Sequence, residues 1–132
     1  MQERVRWSTV LVVPRSEQFV VVARGFNPRD VNFPGGDSTV EDRSPEDTAI
    51  RKLYEETGLR VELDDLKCMD EWTGAHNQPV YAYYALKVVG RVRSGTGGKV
   101  FWTAALGRLT TKHCLFSEYN ERLLRLLQRL AA

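Results

Sequence analysis

The sequence predicts an α+β or α/β sandwich on three observations. A strongly capped helix is expected over residues 44–57, an amphipathic helix is expected from Ser117 onward, and β-rich runs stand before, between and after them. Elements in that order pack as layers of helix and sheet around a core.

The first elements follow from β-propensity. Residues 7–13 are rich in β-branched side chains and stop at Pro14. Arg15, Ser16 and Glu17 then make a polar turn into residues 19–23, so the two runs read as a β-hairpin. Val20, Val21 and Val22 form an unbroken apolar run, the mark of a strand buried on both faces. Residues 25–30 are turn-rich, residues 31–33 form a short extended piece, and Gly35-Gly36 a tight turn. In the helix that follows, Ser44 is the N-cap and Pro45 takes the first helical position, where its missing N–H costs nothing. Asp47 stands where a capping box wants an acid. Ala49, Ile50, Leu53 and Tyr54 recur at helical spacing, and Gly58 is the left-handed stop residue.

Beyond the helix, residues 59–63 alternate apolar and charged, and residues 67–72 read as a short strand. Residues 80–89 form the longest strand candidate and the central one, with Tyr81 and Tyr83 on one face and Ala82, Tyr84 and Leu86 on the other. Residues 90–99 make a glycine-punctuated loop, residues 100–103 a strand and residues 104–109 a short helix. The final helix carries Leu123, Leu124, Leu126, Leu127 and Leu130 on its apolar side, with Glu118–Arg122 and Glu121–Arg125 pairs outside.

The 132 residues suit a single domain with one core, spanning residues 1–132. A composition 42% hydrophobic and 27% charged sets aside the disordered, collagen and membrane classes. The start, MQERVRWSTV, has charge but no apolar signal core, so a cytoplasmic location is expected. Cys68 and Cys114 form no metal or redox pattern and read as reduced thiols. A net charge of +2 is too small to argue for nucleic acid, and the basic residues around Arg91, Arg93 and Lys99 read as a solvated face. The stretch Gly95-Thr96-Gly97-Gly98-Lys99 lacks the spacing of a phosphate loop and reads as a hairpin loop.

Chemistry concentrates on the first helix. Arg51 and Glu55 are four residues apart, and Lys52 precedes Glu55 and Glu56 by three and four, so these charges crowd one side. Taken alone, that is the pattern of a solvated helix face laced by ion pairs. The stretch FPGGDSTVEDRSPEDTAIRKLYEETGL, residues 33–59, resembles the Nudix box of Nudix hydrolases: Gly, five residues, Glu, seven residues, then Arg-Glu-apolar-any-Glu-Glu-any-Gly-apolar. Gly36, Arg51, Leu53, Glu55, Glu56, Gly58 and Leu59 stand in that order behind the lead-in Phe33-Pro34-Gly35. The chain departs at two places. The interval between Gly36 and Arg51 is one residue longer, with Asp42 at the five-residue distance, and Lys52 stands where the family keeps a Glu.

The resemblance implies a mixed β-sheet between helices, an α/β/α sandwich of the Nudix fold. It also implies hydrolysis of the diphosphate in a nucleoside diphosphate linked to X, with Mg2+ or Mn2+ neutralising the diphosphate and activating water. Glu55, Glu56 and the Gly35 carbonyl would hold metal, Asp42 a further ion, and Arg51 would orient the carboxylates, with Glu55, Glu56 and Arg51 as the catalytic residues. Arg24, Phe26 and Tyr81 lie near the ends of strands expected to flank the box and are the expected substrate contacts. The Lys52 ammonium reaches Glu55 or Glu56 and is expected to weaken metal binding by repulsion and competition. Residues 91–102 contain no acid where many family members carry one, so hydrolysis is expected to be slow or absent, the runner-up expectation being a working enzyme whose base is Asp42, Glu41 or Glu118. The alternative expectations are a catalytically inactive nucleotide-binding or protein-interaction module, and a homodimer formed through the leucine-rich helix.

Overall fold

The computed structural model of the chain describes residues 5–25, 27–95 and 98–131. Phe26, an expected substrate contact, lies outside the described residues, as do Thr96 and Gly97 of the glycine-rich loop. Strands Ser8–Val12 (β1), Pro14–Arg15 (β2), Gln18–Arg24 (β3), Val31–Asn32 (β4) and Gly35–Asp37 (β5) precede the helix Pro45–Thr57 (α1). Strands Leu66–Thr73 (β6), Pro79–Ala85 (β7) and Gly98–Thr103 (β8) lead to the terminal helix Ser117–Ala131 (α2).

One sheet runs β5-β1-β7-β6, with β1 and β7 parallel and its other pairs antiparallel. The second is built on β3, which pairs with β8 along its length and with the short β2 and β4 at its two ends. Strand alternation makes the layers. Leu11, Val13, Val20 and Val22 face Ala49 and Leu53 of α1, while Val10, Val12, Val21 and Ala23 face Leu109 and Leu123 on the α2 side. Strands sandwiched between two helices bury both faces, which is why residues 20–22 read as an unbroken apolar run. The mixed sheets and their flanking helices form the expected α+β, α/β/α architecture. No helix among the described residues is long and apolar enough to cross a membrane.

The expected hairpin exists only at its tip, where Pro14 and Arg15 pair with Phe19 and Gln18. β1 itself has both edges occupied, by β5 and β7, and therefore belongs to the other sheet. The strand expected over residues 80–89 ends at Ala85, because Leu86 N donates to Asp65 O at 2.8 Å and Val89 pairs with Arg60. β6, not β7, is the longer of that pair, at 8 residues against 7. Residues 106–110 form a 3-10 turn where a short helix was expected over 104–109. On α2 the Glu121–Arg125 pair forms at 2.7 Å, but Arg122 turns from Glu118 to Asp70 of β6, donating from Nε at 2.6 Å. That partner comes from another element, and the guanidinium also covers the Trp72 ring at 4.6 Å. Leu130, placed on the apolar side by its spacing, is 67% exposed.

Candidate functional site

The site is assembled where β5 meets α1. β5 runs antiparallel to β1, with Gly35 opposite Val10 and Gly36 opposite Thr9. A Cβ on Gly35 would stand 2.2 Å from the Thr9 carbonyl oxygen, so the strands come this close only with glycine there. At Gly36 the space a Cβ would take is filled by the Lys52 side chain, whose Cε lies 2.3 Å from that point. α1 begins and ends as its signals dictate: Asp47 N donates to the Ser44 hydroxyl at 3.2 Å, and Gly58, at φ 82°, donates to Tyr54 O at 2.9 Å. Arg51, Lys52, Glu55 and Glu56 thereby fall on the side of α1 that faces Gly35 and Gly36, which form part of strand β5 and not the tight turn expected of them.

Asp42 does not stand open for an ion. It is buried, and its Oδ2 accepts from Thr39 N at 3.0 Å, Thr48 Oγ1 at 2.7 Å and Arg51 Nη2 at 2.8 Å, while Oδ1 accepts from Arg51 Nε at 3.1 Å. The Arg51 hydrogen bonds, helped by Thr48 and Thr39, hold this carboxyl far below the usual carboxylate range against the opposing effect of burial. Arg51 also forks Nη1 over both oxygens of Glu55, at 3.1 and 3.2 Å, and donates from Nη2 to Asp37 O at 3.1 Å. Its own pKa is raised, chiefly by Asp42. Thr48 in turn accepts from the Trp7 indole at 2.8 Å, so a relay of bonds runs from Trp7 through Thr48, Asp42 and Arg51 to Glu55. Lys52 Nζ stands 3.8 Å from Glu55 Oε2. Glu56 accepts from Gly35 N at 2.8 Å; burial raises its carboxyl above the ordinary value, against the Gly35 amide and the charges of Lys52 and Arg24.

A cleft of about 670 Å³ opens beside this assembly, lined by Arg24, Lys52 and Glu56 together with Phe116, Tyr119 and Asn120. The Phe116 and Tyr119 rings stack at 5.7 Å, and the Arg24 guanidinium stands 5.5 Å from the Phe116 ring centre. Beneath them the buried Asn32 Oδ1 accepts from Asn120 Nδ2 at 2.9 Å and Phe116 N at 3.2 Å, tying the start of α2 to β4. Arg24, the last residue of β3, lines this cleft. Tyr81 does not line the cleft: alternation along β7 turns it to the α1-side core, and its neighbour Val80 faces the cleft instead. Glu55 stands just outside the wall, held by Arg51, and the base candidates Glu41 and Glu118 do not line the cleft. Phe116, Tyr119, Asn32 and Asn120 were not singled out from sequence. The one available signal was Asn120, an amide among the apolar positions of an amphipathic helix.

Glu55, Glu56 and the neighbouring Gly35 carbonyl are hard oxygen donors of the kind Mg2+ and Mn2+ take. Among the described residues no three His, Cys, Asp or Glu gather as a metal cage, and an ammonium already stands beside the acidic pair. The donor set fits a divalent ion in kind, in competition with Lys52.

The sequence profile of the NUDIX domain matches residues 4–102 of the chain. No curated protein sequence matches it. Among solved structures the chain is similar to the NUDIX domain of Shewanella oneidensis NrtR complexed with ADP ribose, at TM-score 0.71 and 17% identity over 98% of this chain and 90% of that one. The E. coli ORF135 protein aligns at TM-score 0.70 and 14% identity, covering 96% and 90% of the two chains. A NUDIX-family hydrolase from Clostridium perfringens aligns at 0.65 and 15%, covering 96% and 99%. At these identities the likeness establishes the fold.

Proposed function

The chain belongs to the Nudix family, and on that premise we propose that it hydrolyses the diphosphate of a nucleoside diphosphate linked to X, at a reduced rate. One observation carries the reading: the Gly35 amide holds Glu56 at 2.8 Å on the wall of the cleft, while Arg51 holds Glu55 beside it. A nucleotide-type ligand is further supported by the ADP ribose bound to the Shewanella oneidensis relative. Phe116 and Tyr119 offer a face for a planar base, and Arg24 and Lys52 offer donors to phosphate oxygens.

Glu55, Glu56 and the Gly35 carbonyl would hold Mg2+ or Mn2+, which supplies neutralisation of the diphosphate and a more acidic water. Arg51 fixes the Glu55 carboxylate, and Asp42 fixes Arg51, so Asp42 is a positioning residue here rather than a ligand. Lys52 competes for the same oxygens, which is the physical ground for slow turnover. The test is release of nucleoside monophosphate, resolved by chromatography, over a panel of nucleoside diphosphate derivatives with Mg2+ or Mn2+. Slow, metal-dependent release abolished by Glu56→Gln is expected. Nucleotide binding without any release across the panel would overturn the hydrolase reading in favour of a binding module.

A further inference from the structure

We infer that Lys52 is a resident cation of the cleft, and that together with Arg24 it grips a diphosphate without a divalent ion. The inference takes from the proposed function only its ligand class, a nucleoside diphosphate.

The first ground is where the side chain lies. Lys52 is laid across the Gly35-Gly36 backbone: a Cβ on Gly36 would stand 2.3 Å from its Cε and 3.1 Å from its Nζ, and only 23% of the side chain is exposed. A lysine on an outer helix face extends into water, whereas this one is folded into the space that the glycine leaves. The second ground is what the ammonium meets there. Its acidic neighbour Glu55 stands 3.8 Å away and already accepts from Arg51 Nη1 at both oxygens, while Glu56, which lines the same cleft, accepts from Gly35 N at 2.8 Å. An ammonium carries three donors, so Lys52 keeps donor capacity for an anion entering the cleft it lines. The third ground is the partner cation. Arg24, from β3, lines the same cleft, and its guanidinium reaches the Phe116 ring at 5.5 Å, next to the aromatic wall. Lys52 and Arg24 thus place positive charge in the cleft that the stacked rings also line.

A tethered ammonium also competes well with a dissolved ion. It is present at an effective concentration of about millimolar or more at the oxygens it reaches. Lys52 therefore gives this cleft a cation of its own, in competition with a divalent ion.

The experiment is calorimetric titration of the full chain with ADP and with inorganic pyrophosphate, once in EDTA and once in Mg2+, repeated for Lys52→Met and Lys52→Glu. Wild-type protein is expected to bind both ligands in EDTA within about threefold of its affinity in Mg2+. Lys52→Met is expected to weaken metal-free binding about tenfold. Lys52→Glu is expected to do the same and to tighten Mn2+ binding, followed by electron paramagnetic resonance, by about tenfold. Thermal melts of both variants verify that they are folded. Wild-type binding that requires metal, or metal-free binding unchanged in Lys52→Met, overturns the inference. Metal-dependent turnover without metal-free binding would overturn it and leave the hydrolase reading standing. Metal-free binding without turnover would leave the inference standing and remove the hydrolase reading.

Discussion

At Glu56 burial and chemistry pull in opposite directions. Loss of water raises its carboxyl, and the Gly35 amide, Lys52 and Arg24 only partly offset this. A carboxyl whose folded pKa is raised opposes folding as pH climbs through the ordinary value of about 4.3, so its charge costs stability at neutral pH. Glu56→Gln keeps an oxygen for the Gly35 amide and removes the charge. We expect it to stabilise the fold by about 1 kcal/mol, or about 4 °C in Tm, while hydrolysis is lost. Calorimetry and nucleoside monophosphate release on the same preparation check both halves. Asp42 has the opposite sign. Its carboxyl is depressed, chiefly by Arg51, so its contribution is fully present above about pH 4 and is lost as pH falls further toward its folded value. Asp42→Asn leaves the Arg51 charge without its buried partner and should cost about 3 kcal/mol at pH 7. The variant should also show a shallower loss of stability than wild type in denaturant titrations carried from neutral pH to about pH 2. The sequence marked Asp42 by its distance from Gly36 but gave no hint of what it binds. Its partners Thr39, Thr48 and Arg51 converge only when the loop before α1 folds back on the helix.

The limits of α1 were legible because caps are local: Ser44, Pro45, Asp47 and Gly58 act within a few residues of themselves. The β1–β3 hairpin misled because strand pairing is a competition between edges, and β5 and β7, distant in sequence, occupy those of β1. Likewise Arg122 has a good partner at helical spacing in Glu118 and a better one on β6 in Asp70. Gly58 is where the local and the distant demands coincide. It sits at φ 82°, and a Cβ there would meet Arg93 Cγ at 2.7 Å and Arg91 O at 2.9 Å. Backbone strain and the displaced 91–93 segment act together, so Gly58→Ala is expected to cost about 2 kcal/mol. The measurement is the urea midpoint with an unchanged m-value. A cost near zero would mean that the segment moves away freely.

Across the molecule, the cleft explains why its chemistry was half visible in sequence. Gly35, Gly36, Lys52 and Glu56 of its lining come from residues 33–59, a contiguous stretch with a readable pattern. Phe116, Tyr119 and Asn120 come from the start of α2 and the residue before it, some sixty positions further on, where the two rings look like ordinary core residues until Asn120 and Asn32 tie them to β4. The same long-range arrangement sets how the protein should unfold. β1 and β3 supply alternate residues to both core layers, so neither layer retains its strands once the other is lost. Leu53, on the α1 side, and Leu123, on the α2 side, are both fully buried. Leu53→Ala and Leu123→Ala should therefore each cost about 3 kcal/mol, through lost transfer energy and the cavity left behind. Both should keep one cooperative transition, because the layers share strands and do not form independent units. Urea unfolding followed by tryptophan fluorescence and by far-ultraviolet circular dichroism should give coincident curves for each variant. Curves for Leu123→Ala that separate, with the α2 side melting before the strands, would show that the two layers fold as separate units.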